Sequence, residues 1–361
     1  MRILYGVQST GNGHITRARA MARALADQGL SVDYLFSGRE ADQFFDMEGF
    51  GAYRLCQGFT LAIENGRLDT LGTLRRLAPR RFLREVRALD LEPYDLVITD
   101  FEPVTAWAAR LRHKPSVGIG HQYAFLYPVP RPAGGYHQRL LMRWMAPADL
   151  SLGLHWHHFD APLLPPIAPV AEPAPERDPK LILVYLPFEA PAAIRALLAD
   201  FSDFRFAVYH PGAESAPPTP AHLRWHLPNR DGFQAELIRC AGVICNAGFE
   251  LASESLQLGV KLLVKPVRGQ SEQQANAMAL EQLGLAPAMT ELDPGRVAAW
   301  LRNGREARIR YPNVAVAVAR WIAAGASPDI QPLSAALWRA TRFPPLPQPG
   351  VEEVSSCVGK P

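Results

Sequence analysis

The chain of 361 residues, 48% of them hydrophobic, is long enough for two domains with separate cores. Its 38 basic residues nearly balance 35 acidic ones, for a formal charge of +3, too even a balance to make nucleic acid an expected partner. Four cysteines (Cys56, Cys240, Cys245, Cys357) form neither a disulfide scaffold nor the paired spacing of a zinc site, and no apolar run approaches the ~20 residues of a membrane span, so a cytoplasmic, soluble protein is expected.

In chain order, Ile3 to Val7 reads as a strand, His14 to Gln28 as a helix stopped by Gly29, and Ser31 to Phe36 as a second strand, together a βαβ unit. Leu74 to Arg87 carries six arginines and one acid among Leu74, Leu77, Phe82, Leu83 and Val86, interrupted by Pro79. An apolar face rimmed by guanidinium groups suits peripheral contact with an anionic membrane through 74–87, and a merely solvated face is the alternative. Asp95 to Thr99 is a strand ending at Asp100, and Ser116 to Ile119 is another, ending at Gly120-His121-Gln122. Between Ala161 and Lys180 the prolines stiffen an extended linker. They divide the chain into a first domain over 1–165, a linker over 166–179 and a second domain over 180–330. There Lys180–Leu186, Phe204–Tyr209, Gly242–Cys245 and Lys261–Lys265 read as strands with helices between them. A last segment, 331–361, holds a Trp-containing helix near Leu333 to Thr341 and a loose Pro-rich tail. Alternating strands and helices throughout predict an α/β fold with parallel sheets.

The turn Gly11-Asn12-Gly13 after the first strand puts backbone N–H groups and a helix dipole at the sheet's carboxyl edge, with glycine allowing close approach. It is neither the dinucleotide GxGxxG nor a P-loop. His14, in the first turn of the helix, is poised at that edge to take a proton from a hydroxyl. Such a base needs a carboxylate to fix its tautomer. Asp100 ends a strand and can supply it; Glu102 is a second candidate, and Asp100 or Thr105 can instead cap the following helix. His121 and Gln122 either line the cleft or pack a loop.

The most informative stretch is CNAGFELASESLQLGVKLLVKPVRGQSEQQANAMALEQLG. A strand ends at Cys245, Asn246-Ala247-Gly248 turns the chain, and the helix from Phe249 to Leu258 offers free amides to a diphosphate. Glu254 can accept ribose hydroxyls or be a solvated helix charge. Glu272 and Gln273 suit sugar hydroxyls, whereas Ser271 as a helix cap with Gln274 is the structural account of the same residues.

These features resemble nucleotide-sugar glycosyltransferases of the GT-B fold, of the UDP-glycosyltransferase and peptidoglycan N-acetylglucosaminyltransferase kind. The resemblance implies two Rossmann-like domains facing across a cleft, the first binding the acceptor, the second the donor, with the C-terminal helix crossing back. It assigns His14 as general base and Asp100 as its orienting partner. Asn246, Ala247, Gly248 and Phe249 fall on the diphosphate-binding helix start, Glu254 on the ribose site, and Glu272 and Gln273 on the sugar-reading pair, with Arg268 a further phosphate partner and Gly11 and Gly13 at the open turn. Three positions depart from the family pattern: Asn246 replaces a histidine, Glu250 stands where small polar residues hold the diphosphate, and Glu272 replaces an aspartate. The implied activity is inverting, metal-independent transfer from a nucleoside-diphosphate sugar, UDP favoured, to a hydroxyl acceptor that includes lipid-linked ones. No cofactor is expected. A nucleotide-sugar hydrolase and a non-catalytic sugar-binding protein are the alternatives.

Overall fold

The computed structural model describes residues 1–58, 62–69, 72, 78–132, 143–168 and 176–344. The first half contains β1 (Arg2–Gln8), α1 (Asn12–Asp27), β2 (Ser31–Ser37), β3 (Tyr53–Cys56), β4 (Ala62–Glu64), β5 (Arg67–Asp69), α2 (Pro79–Ala88), β6 (Leu96–Asp100), α3 (Pro103–Leu111), β7 (Ser116–Gly120), a 3₁₀ helix (His121–Leu126) and β8 (Leu150–Gly153). Six of these strands form one sheet in the order β3-β2-β1-β6-β7-β8, with every pair parallel. The second half contains β9 (Asp178–Tyr185), α4 (Pro191–Leu198), β10 (Arg205–Tyr209), β11 (Leu223–His226), α5 (Arg230–Leu237), β12 (Cys240–Asn246), α6 (Phe249–Leu258), β13 (Lys261–Lys265), α7 (Ser271–Gln282), α8 (Pro294–Asn303), α9 (Val314–Ala323) and α10 (Gln331–Ala340). Its strands form a second parallel sheet, β11-β10-β9-β12-β13.

Strand order reverses between β1 and β6 in the first sheet and between β9 and β12 in the second. Parallel sheets open a crevice at such points, outside the carboxyl ends of the strands. The first turn of α1, which carries His14, follows β1, Asp100 ends β6, and Asn246 ends β12. The candidate residues therefore lie at both reversal points. The central strands are apolar runs, as sheets covered on both faces require: β6 and β7 are buried along their whole length.

The two halves share an extensive seam. Helix α1 packs against α6 and α9 of the second half. Trp156 Nε1 donates to Ser253 Oγ at 2.9 Å. On α10, Ser334 Oγ and Trp338 Nε1 both donate to the Leu163 carbonyl, at 2.6 and 2.7 Å. Half of the proline linker, 169–175, lies outside the described residues. So does the tail beyond 344. No described helix is long and apolar enough to cross a membrane.

Patterning misses the short strands β3, β8 and β11 and the β4–β5 hairpin. Short edge strands such as β3 carry polar residues and lack a full apolar run. The hairpin does have a sequence signal, Asn65-Gly66, whose φ angles of 47° and 71° suit a tight two-residue turn. Its tip reaches the second half: Gly66 N donates to Phe188 O at 2.5 Å, and Arg268 N donates to Gly66 O at 2.7 Å. Beneath it, Lys265 Nζ meets Glu189 Oε1 at 2.6 Å in a buried ion pair. A β-carbon at Gly66 would collide with the Glu189 carboxylate.

Gly66→Ala therefore combines left-handed strain with that collision. Undocking is expected, with faster proteolytic cleavage within 62–69 and a loss of ~1–2 kcal/mol in thermal unfolding. Unchanged cleavage and unchanged melting would contradict the docking.

Candidate active site

His14 and Asp100 meet at the reversal point of the first sheet. His14 Nδ1 lies 2.6 Å from Asp100 Oδ1, and the two side chains are 13% and 0% exposed. An ionised carboxylate only accepts, so Nδ1 carries the hydrogen and Nε2 keeps its lone pair. Between Asp100 and Glu102, Phe101 adopts φ 53°, a left-handed conformation uncommon for a bulky residue. This turn separates the two acids. Asp100 faces the histidine, while Glu102 is the N-cap of α3, accepting from Val104 N at 2.9 Å and Thr105 N at 2.6 Å. The cap is thus Glu102, not Asp100 or Thr105. Burial pushes the Glu102 carboxyl up, partly offset by those N–H groups and the Thr105 and Ser37 hydroxyls.

The sequence reading lacked Arg17, one helical turn beyond His14 and 1% exposed. Its Nε donates to Asp100 Oδ2 at 2.7 Å, Nη2 reaches Asp100 Oδ1 and lies 2.9 Å from His14 Nδ1, and Nη1 pairs with Glu250 Oε1 of the other half. Burial alone would raise the Asp100 carboxyl, but the Arg17 guanidinium and the His14 ring outweigh it and hold it below its ordinary value of 3.8. Glu250 is in the first turn of α6, where a carboxylate would repel a diphosphate; it turns across the seam to Arg17 instead. Gly13 makes this approach possible, since a β-carbon there would lie 2.8 Å from Glu250 Oε2. Gly11 is the N-cap position of α1, with no side-chain cap.

On the second sheet, Gly248 precedes α6 without a side-chain cap, and a β-carbon there would meet nothing within 4 Å. The first N–H groups of α6 have no intrahelical carbonyl and present the positive end of its dipole. Asn246 does different work from that expected of it. Its Nδ2 donates to Lys265 O at 2.9 Å and to Glu189 Oε1 at 3.4 Å, and its Oδ1 is a buried acceptor without a partner, ill suited to a phosphate oxygen. Phe249 stacks on His121 across the seam, ring centroids 4.0 Å apart, and is an anchor between the halves. The Ala247 carbonyl accepts from Asn276 Nδ2 at 2.9 Å, and Asn276 Oδ1 faces His121 Nε2 at 2.5 Å. Asn276 was legible only as part of SEQQANA.

Glu254 is buried and accepts from Gln234 Nε2 at 2.9 Å. Burial raises its carboxyl, against the lowering by Gln234 and Arg230. It is no solvated helix charge. Glu272 accepts from Gln122 Nε2 at 3.2 Å at both oxygens, placing it beside the histidine. Gln273 Oε1 accepts from Val267 N at 2.9 Å, so this side chain folds its own loop. Gln270, without a side-chain bond, occupies the N-cap of α7, and the expected Ser271–Gln274 box is replaced by that start. Arg268 is not brought to α6: its guanidinium lies 3.6 Å from the exposed Glu291, and it contributes a backbone N–H to the hairpin. Among the described residues no group of three His, Cys, Asp or Glu side chains is placed to hold a metal ion.

Asp100→Asn removes the anion opposite Arg17 and leaves a buried cation short of its partner, an expected loss of ~3–5 kcal/mol at neutral pH. A carboxyl with a lowered folded value stabilises above its unfolded value and loses this as pH falls through the folded one. The deficit of the variant is therefore expected to shrink as pH drops from about 5 towards 3. Urea unfolding across that range checks the sign; a constant deficit would contradict it.

A sequence profile of glycosyl transferase family 1 matches residues 1–303. No curated protein matches the chain by sequence. Among solved structures, the glycosyltransferase SnogD from Streptomyces nogalater is 18% identical with a TM-score of 0.53, covering 94% of this chain and 99% of its own. MurG of Acinetobacter baumannii is 17% identical, TM-score 0.52, with the same 94% and 99% coverage. Streptomyces sp. SF2575 glycosyltransferase SsfS6, complexed with thymidine diphosphate, is 15% identical, TM-score 0.56, again over 94% and 99%. At these identities the likeness shows the shared α/β two-domain GT-B fold. The profile match spans most of the chain and both reversal points, and the chain belongs to glycosyl transferase family 1 as a glycosyltransferase.

Proposed function

We propose that the sugar comes from a nucleoside-diphosphate sugar, UDP favoured, and passes with inversion to a hydroxyl acceptor without a bound metal ion. The observation that carries this reading is the His14–Asp100 pair at 2.6 Å, set at the edge that faces the free N-terminus of α6. Asp100 holds the ring with Nδ1 protonated, so Nε2 takes the acceptor's proton. The acceptor oxygen bonds to the anomeric carbon from the face opposite the diphosphate, and the bond to the diphosphate oxygen breaks with its electron pair. That charge develops against the amides of Phe249 and Glu250 and the dipole of α6, which stabilise it without reorganising. Glu254, oriented by Gln234, is assigned to the ribose and Glu272 to the sugar hydroxyls. UDP is favoured by the resemblance to UDP-glycosyltransferases, and the thymidine diphosphate bound to SsfS6 makes dTDP its first competitor.

Side chains of the two halves touch directly here, so the donor enters by parting them, and reclosure excludes water. A cytoplasmic location with peripheral membrane contact through 74–87 remains part of this reading in altered form. Residues 74–77 lie outside the described residues, and α2 turns Phe82 and Val86 into the core, leaving Leu83 exposed beside Arg80, Arg84 and Arg87. Contact is then driven by charge: binding to anionic vesicles is expected to vanish at high salt, and salt-insensitive binding would argue for apolar insertion.

Thermal shift with UDP-, GDP- and dTDP-sugars identifies the donor, because a ligand of the native state raises its melting point. His14→Ala is expected to keep that shift and lose transfer by ~10³-fold or more. Product NMR should show inverted anomeric configuration, with a rate unaffected by a chelator. Full turnover in His14→Ala, retention of configuration or loss of rate on chelation would overturn the corresponding element.

A further inference from the structure

Gln122, the second residue of the 3₁₀ helix after β7, is 5% exposed, and its carboxamide stands between the two halves of the site. Its Nε2 lies 3.4 Å from His14 Nε2 and 3.2 Å from both oxygens of Glu272, and its Oε1 is buried without a partner. His14 Nδ1 is committed to Asp100, so the nitrogen that Gln122 covers is the one that can accept a proton. A carboxamide cannot take that proton itself. At 3.4 Å it is a loose donor, outside the usual range for such a bond.

From this arrangement we infer that Gln122 determines specificity for transfer over hydrolysis by occupying the proton-accepting face of His14 until an acceptor displaces it. The inference rests on the proposed role of His14. Any nucleophile activated at Nε2 must first move the amide. An acceptor brings binding contacts remote from its hydroxyl that drive the displacement, whereas a water molecule brings none. Once the acceptor has moved it, the amide stays on Glu272, and the orphaned Oε1 is free to accept from the incoming acceptor. Without the side chain, water reaches Nε2: its oxygen bonds to the anomeric carbon, the bond to the diphosphate oxygen breaks, the electron pair leaves with the nucleoside diphosphate, and the proton rests on Nε2 before passing to solvent.

The test is release of nucleoside diphosphate from UDP-N-acetylglucosamine, UDP-glucose and dTDP-glucose without acceptor, at saturating donor, by the full chain. Gln122→Ala and Gln122→Ser are expected to raise release about ten-fold or more, with the ~10²–10⁴-fold that a positioned general base contributes as the ceiling. Gln122→Met, which keeps the volume, is expected to stay near the parent rate, and adding His14→Ala to Gln122→Ala should return release to background. Both truncations are used so that one folded variant, verified by its melting curve, suffices. If truncation leaves release unchanged or lower while a donor still raises the melting point, the gating role is overturned and the transferase reading stands. A rise that persists without His14 also overturns it. If none of the donors shifts the melting point of the parent chain, the nucleotide-sugar reading fails first and this inference with it.

Discussion

The site depends on one buried carboxylate. Asp100 has no exposure, and an isolated anion there would be several kcal/mol out of balance. Two neighbours offset this, His14 at one oxygen and Arg17 at both. Arg17 is itself buried and holds a second acid, Glu250, from the other half. A guanidinium serves here where an ammonium would not, because its planar fork reaches both oxygens of Asp100 and a second carboxylate at once. Two carboxylates thus share one buried cation beside the His14 ring. The orientation of the base and the joining of the halves are one interaction.

That coupling explains the position of Glu250. Read as a residue of the α6 N-terminus alone, it opposes the family's diphosphate site. Turned to Arg17 through the space left by Gly13, it leaves the α6 amides free and closes the seam over them. Other contacts reinforce the closure: Phe249 on His121, Asn276 between His121 and the Ala247 carbonyl, and the hairpin tip over the Lys265–Glu189 pair. Most are polar and directional, which suits surfaces that must part and meet again in one register.

The strands beside the site and the pairing of His14 with Asp100 were legible because each leaves a local mark: apolar runs with period and caps, and polar residues where such runs stop. Phe249–Leu258 was predicted at its observed bounds. Arg17 was not legible, since in TRARAMAR it is indistinguishable from the arginines around it, and only the fold turns it inward. The choice between Asp100 and Glu102 was equally hidden, being made by the left-handed turn at Phe101. Sequence also cannot tell a polar group that is free from one already engaged, so Gln273 and Asn246 read as ligand groups although Gln273 Oε1 serves the loop after β13 and Asn246 Nδ2 the adjoining strand. The amphipathic pattern of α2 was real, and of its apolar residues Phe82 and Val86 pack into the core while Leu83 stays exposed.

The central claim is that His14 and the start of α6 address one substrate from opposite sides. A crystal structure of the His14→Ala variant with an intact nucleoside-diphosphate sugar measures this directly. The account predicts the diphosphate on the amides of Phe249 and Glu250, with the anomeric carbon presenting its opposite face to position 14. A diphosphate bound elsewhere, or a sugar whose open face points away from that position, would contradict it.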